Sequence, residues 1–298
     1  MDLKTKLTDM IELVRSNPDN QEHRLALIQY LCLSAKWEQA LKQIGQYQKL
    51  FPDTQKPLML YLIENISAEM RRQAVLETQQ KPKTLEQHAS KLDILQKQLS
   101  LVAHVAEKKS SALTADYEAL SDCIDGTPAH ITYLLADKSV AETDSNWIMD
   151  GDVRTAFVYE FFYQGHYYWQ TWDSIESIAF KAPSSLLDII WRSSEIKFTD
   201  GECIQCTSPA RYAVLPDAET EWSDMLMNCS QTDWIEVAEQ LFTGMGQKTL
   251  YTDSHDFGLL DIRNIKFGNS VKPYPSSDYR NPSCRNSETN CCLLCLTD

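Results

Sequence analysis

No long apolar run occurs in this chain. Stretches such as Leu58–Ile63 fall far short of the ~20 residues that a spanning helix needs, which excludes a membrane-embedded helical protein. The first ten residues, MDLKTKLTDM, lack the apolar segment of a secretion signal, so a cytoplasmic protein is expected. Basic charge is also in short supply, with 28 Lys and Arg against 42 Asp and Glu, a net charge of −14. Affinity for phosphate comes mostly from clustered cations, so nucleic acid and anionic membrane surfaces are not expected partners. No G-x-x-x-x-G-K-[ST] loop is present, which removes the commonest phosphate cradle. Nine cysteines, an odd number, include Cys32, Cys123, Cys203, Cys206 and Cys229 scattered along the chain, which does not suggest a disulfide framework.

What is present divides in two. Residues 1–110 hold 16 basic and 13 acidic residues, a net of +3, whereas the remainder holds 12 and 29, a net of −17. A uniformly acidic chain would not split this way, so two domains of different character are expected. At 298 residues, 43% of them hydrophobic, the chain can bury a substantial core.

The first half carries a repeat. Pro18-Asp19 and Pro52-Asp53 recur 34 positions apart, the period of tetratricopeptide helix pairs. Between them, Leu27, Ile28 and Leu31 mark one helix, and Trp37, Ala40, Leu41, Ile44 and Tyr47 mark another. Leu3, Leu7, Met10, Ile11 and Val14 form a preceding half repeat. Leu62, Ile66 and Met70 predict a further helix, and Leu85, His88, Leu92, Leu95, Leu99 and Val102 another. Residues 1–120 therefore read as a tetratricopeptide-like stack of five or six helices, whose groove suits a peptide or a helix. A helical scaffold that only holds the second domain is the alternative.

From about residue 121 short alternating runs replace helical stripes, and residues 121–268 read as an α+β domain with antiparallel strands. Gln164-Gly165 and Thr199-Asp200-Gly201 predict hairpin turns, while Trp222–Asn228 and Trp234–Phe242 predict helices. The segment 269–298, rich in Ser, Asn and Pro before ending NCCLLCLTD, is expected to be a disordered cysteine-containing tail.

Several clusters invite chemical readings. Asp150-Gly-Asp152-Val-Arg154 has the residue types for a metal-assisted enzyme, but Asp–Arg pairs more often brace a turn through bidentate bonds. Gly244-Met-Gly246-Gln247-Lys248 reads as a tight turn rather than a phosphate loop. Cys203-x-x-Cys206 and Cys292-x-x-Cys295 are too far apart for a compact zinc ribbon, and strand alternation would point Cys203 and Cys206 to opposite faces. Ser184, Ser185 and Asp188, with His166 and His255, lack a nucleophile elbow. The aromatics from Tyr159 to Trp172 have acidic or neutral neighbours and read as a sheet core. No metal or cofactor is expected.

The order of these motifs resembles the ImpE family, also called TagJ or SciE-type proteins, of bacterial type VI secretion. The resemblance runs through Trp37 in Ala35-Lys-Trp37-Glu-Gln-Ala40-Leu41, Glu69 and Arg72, then Asp150, Asp152 and Arg154 with Glu160. It continues through Tyr168 and Trp169, Asp188 and Trp191, Arg211 and Tyr212, Trp234, Gly246 and Gln247, Asp253, and Asp261 and Arg263. Ala156-Phe157 replaces the family's Gly-Pro, and Ser185 and Leu187 replace its acid and arginine. The resemblance implies a non-enzymatic cytoplasmic accessory. It implies binding to the N-terminal helix of the small contractile-sheath subunit, with an indirect link to the AAA+ ATPase that disassembles the sheath. These motif residues would then be structural or partner-binding.

Overall fold

The computed structural model describes residues 2–88, 91–215 and 222–268. The expected tail, 269–298, lies outside the described residues.

The proline-bounded repeat folds as expected. Helices α1 (Leu3–Ser16), α2 (Gln21–Leu33) and α3 (Trp37–Leu50) pack in succession. Asp2 and Asn20 cap the first two by accepting the amides of Thr5 and His23 at 2.6 and 2.8 Å, which satisfies donors the helix itself cannot. Pro57 sits in the first turn of α4 (Lys56–Leu76), where a missing N–H costs nothing. The repeat weakens here for a structural reason. Over 21 residues α4 packs on α3 and also lies against strands of the second half, burying Met59, Leu62, Ile66, Glu69, Arg72 and Val75.

The seam drawn from Leu85 to Val102 is corrected. α5 starts only at Leu92 and runs to Ala106, while Glu86–His88 is a single 3-10 turn. Lys83 instead pairs as a short parallel bridge with Tyr168, and His88 is buried with its ring stacked on Phe198 at 4.0 Å. α6 (Ser110–Cys123) closes the helical part by packing on α5.

Thirteen strands follow among the described residues. Eight form one antiparallel sheet. Its order is β2 (Val140–Ser145), β1 (Ala129–Leu134), β13 (Ile262–Phe267), β6 (Ile175–Phe180), β7 (Trp191–Phe198), β8 (Cys203–Pro209), β4 (Val158–Tyr163) and β5 (His166–Thr171). Both expected hairpin turns occur, with Gly165 at φ +73° and Gly201 at φ +91°. A smaller sheet joins β3 (Ile148–Asp150), β11 (Thr249–Thr252) and β12 (Asp256–Gly258).

Of the two helices expected after residue 220, one is a single turn, α7 (Asp224–Met227), and the other is a hairpin. β9 (Thr232–Ala238) pairs with β10 (Leu241–Gly246). Trp234, Val237, Ala238 and Leu241 recur at three and four like a helical stripe, but the chain reverses at Glu239-Gln240, with Gln240 at φ +59°. Gly244 correspondingly lies inside a strand rather than a turn, and Gly246 alone of the pair has a positive φ, +85°.

Helices and sheet share a core. Leu27, Ile44, Leu62 and Ile66 belong to the same buried cluster as Phe161, Trp169, Trp191 and Ile265. A second cluster joins Leu101, Leu113 and Tyr117 to Val153, Phe157, Leu241 and Tyr251.

Candidate functional site

Charged side chains converge where α4 crosses the sheets. Glu69 and Arg72 lie one turn apart on the buried side of α4, at positions where an amphipathic helix ordinarily carries leucines. Arg72 reaches Glu160 of β4 through a two-pronged bond, Nε to Oε2 at 2.8 Å and Nη2 to Oε1 at 2.5 Å. Its Nη1 also donates to the Arg211 carbonyl at 2.9 Å, and Glu69 accepts from Trp191 Nε1 at 3.0 Å. Lys248 stands on the other side of Glu160, 2.6 Å from Oε1, and pairs with Asp150 as well. Tyr167 donates to Glu160 Oε2 at 2.6 Å and accepts from Trp169 Nε1.

The aspartate motif closes the far end. Asp150 accepts from Tyr212 OH at 2.9 Å and Thr155 Oγ1 at 2.7 Å in addition to Lys248. Asp152 holds Arg154 in a fork, Nε to Oδ1 at 2.9 Å and Nη2 to Oδ2 at 2.5 Å, and also accepts the Gly244 amide at 2.9 Å. Arg211 donates to the carbonyls of Leu33 and Met227 at 2.6 and 2.7 Å, tying the end of α2 to α7. Glu69, Asp150, Asp152 and Glu160 are thus matched by Arg72, Arg154, Arg211 and Lys248, and all eight are buried.

This balance sets the titration behaviour. Burial alone would push Glu160 up, but Arg72 and Lys248 override it and hold the carboxyl down to about 2. For Asp150 the loss of water outweighs Lys248, and Asp152 and Glu160 add to the rise. Burial disfavours the charge on Lys248, yet Asp150 and Glu160 keep its ammonium above the ordinary lysine range.

The remaining motif residues surround this network. Trp37 stacks on Trp191 at 5.8 Å, joining α3 to β7. Trp234 covers Tyr212 and Tyr251, and Gly151 lies so close beneath it that a Cβ would strike the indole. Gln247 donates to the Cys229 carbonyl at 2.9 Å and accepts the Leu260 amide at 3.1 Å. Asp253 gathers Ser145 and Asn146, at 2.6 and 2.5 Å. Asp188 accepts the amides of Ser184 and Ser185 at 2.7 and 2.8 Å, so this serine–aspartate group is a capping turn. Tyr168 stacks on Phe161 at 5.3 Å, and Arg263 donates to the Leu260 carbonyl at 2.8 Å beside half-buried Asp261. Cys203 is exposed and Cys206 buried, as strand alternation requires.

Chemically, the network is a closed set of ion pairs. Each oxygen of Asp150 and Asp152 already accepts from a cation, hydroxyl or amide, and the described residues contain no group of three or more His, Cys, Asp or Glu side chains arranged for a metal. The bracing read from the aspartates and Arg154 did not extend to Lys248, which lies 98 residues from Asp150 in sequence. Charged residues in apolar patterns, Arg72 in α4 and Glu160 in VYEFFY, were the available signal.

Comparison with known proteins agrees with the motif order. Residues 142–266 match the model of the family described as ImpE protein. The chain is 27% identical over 265 residues to the type VI secretion system accessory component TagJ of Pseudomonas aeruginosa, covering 89% of this chain and 87% of that protein. Its fold is similar to the crystal structure of protein VPA1032 from Vibrio parahaemolyticus, with a TM-score of 0.74 at 20% identity, over 90% of this chain and 95% of that one. Residues 142–266 thus match the ImpE family model, in a chain that is similar to a TagJ accessory component along nearly its whole length.

Proposed function

We propose that this chain is a non-catalytic, cytoplasmic accessory of a bacterial type VI secretion system. In this reading it binds the N-terminal helix of the small contractile-sheath subunit. It thereby influences sheath assembly or recycling, and meets the sheath-disassembling AAA+ ATPase only indirectly. The observation that carries this reading is the similarity to the accessory component TagJ over 89% of the chain. Two features support it. Asp150, Asp152 and Glu160 are spent on internal ion pairs, which leaves them a framework role. The helical half provides surfaces of the kind that take an amphipathic helix.

The test is co-purification of the tagged full chain with the sheath subunit of the same secretion system. The intact subunit is expected to be retained, and one lacking its N-terminal helix to be lost. Equal retention of both forms, or of neither, would overturn the reading.

A further inference from the structure

Between α4 and α5 the chain crosses the outer edge of β5, the last strand of the large sheet. The pairing there is slight. The Lys83 amide donates to the Tyr167 carbonyl at 2.9 Å, and the Lys83 carbonyl accepts the Trp169 amide at 2.9 Å. Gln170 Nε2 donates to the Leu85 carbonyl at 3.2 Å. These bonds hold residues 83–85 over backbone groups that a bare strand edge would leave open to another chain.

The segment then ends on His88, whose buried ring lies flat on Phe198 of β7, at 4.0 Å and 7°. The β7–β8 turn grips that ring from both sides. Asp200 Oδ2 stands 2.5 Å from Nδ1 and Glu202 Oε2 stands 3.3 Å from Nε2, the latter nitrogen making no hydrogen bond. A neutral imidazole has one N–H and serves one carboxylate, turning a lone pair toward the other. An imidazolium donates from both nitrogens. The Glu202 amide first, and His88 after it, hold the Asp200 carboxyl below its usual range, so this partner stays charged. Of the charged groups on adjoining elements, Lys91 pairs with Asp173 at 3.4 Å and Lys197 with Glu176 at 2.5 Å, while Glu86 on the same turn is exposed.

We propose that residues 83–88 are a pH-sensitive strap, locked over the edge of β5 by protonated His88 between Asp200 and Glu202. Loss of the proton frees the strap and bares the Tyr167 carbonyl and the Trp169 amide. The sign follows from linkage: the locked form holds the proton more firmly, so it is favoured as pH falls and loosens as pH rises.

Amide hydrogen exchange of the full chain, read by NMR and corrected for intrinsic base catalysis, measures the opening. The series runs from about pH 5.5 to about pH 9, which brackets imidazole titration. Protection at Lys83 and Trp169 is expected to fall about tenfold or more across it, the size of one lost charge-assisted hydrogen bond. Amides of the central strands β13 and β6 are expected to keep theirs. His88→Phe keeps a ring on Phe198 without nitrogens and is expected to show low protection at every pH. Glu202→Gln leaves the ring in place and is expected to flatten the profile, which carries the test if His88→Phe melts early. Constant protection at Lys83 and Trp169 in the parent chain would overturn the strap, as would a fall that survives in both variants. An equal fall in β13 and β6 would also overturn it, because the whole sheet would then be opening.

Discussion

Glu160 shows how a single residue can organise two halves of a chain. It sits in a strand that is otherwise aromatic and apolar, and its two oxygens meet Arg72 from the helical side and Lys248 from the sheet side. Removing one member of such a set leaves the others buried and unbalanced, at a cost of about 3 to 5 kcal/mol. Glu160→Gln is therefore expected to lower unfolding stability by that order, read from urea titrations near neutral pH. A change below about 1 kcal/mol would contradict the pairing.

The pH dependence follows with a definite sign. The folded carboxyl of Glu160 lies at about 2, below the ordinary 4.5, so its contribution is fully present above pH 4.5 and is lost as pH falls toward 2. Asp150 is shifted the other way and offsets part of this loss. Urea titrations at descending pH are expected to show a steep decline across that window in the parent chain and a shallower one in Glu160→Gln.

At the scale of elements, the 34-residue recurrence and the hairpin turns were legible because proline, glycine and apolar spacing act locally. The β9–β10 hairpin was not, since its apolar residues recur at helical intervals and its turn uses Glu239-Gln240 without glycine or asparagine. The aspartate–arginine brace was readable from five consecutive residues, but its closure through Lys248, Tyr212 and Gly244 depends on partners 62 to 98 positions away. The division of the chain near residue 121 marks a change of secondary structure, and we propose that it does not mark a unit that folds alone. Residues 1–123 by themselves would expose Ile66 and Val75 and strand Arg72 without Glu160. That fragment is expected to bind a hydrophobic dye and melt without a sharp transition; a cooperative melt would contradict this.

For the whole molecule, the net charge of −14 conceals an arrangement by depth. Four buried carboxylates and four buried cations meet in one network, while Arg192 is buried apart from it with its guanidinium on the carbonyls of Leu259 and Ile262. Such an interior fixes how the helical part meets the sheets, and a rigid frame presents a partner surface with little ordering cost. The similarity to TagJ gives that surface its context. The most direct test is calorimetric titration of the full chain with the N-terminal helix peptide of the small sheath subunit from the same secretion system. One peptide per chain, bound at about micromolar affinity or tighter, is the expected result. No heat of binding from folded, dissolved components would contradict it.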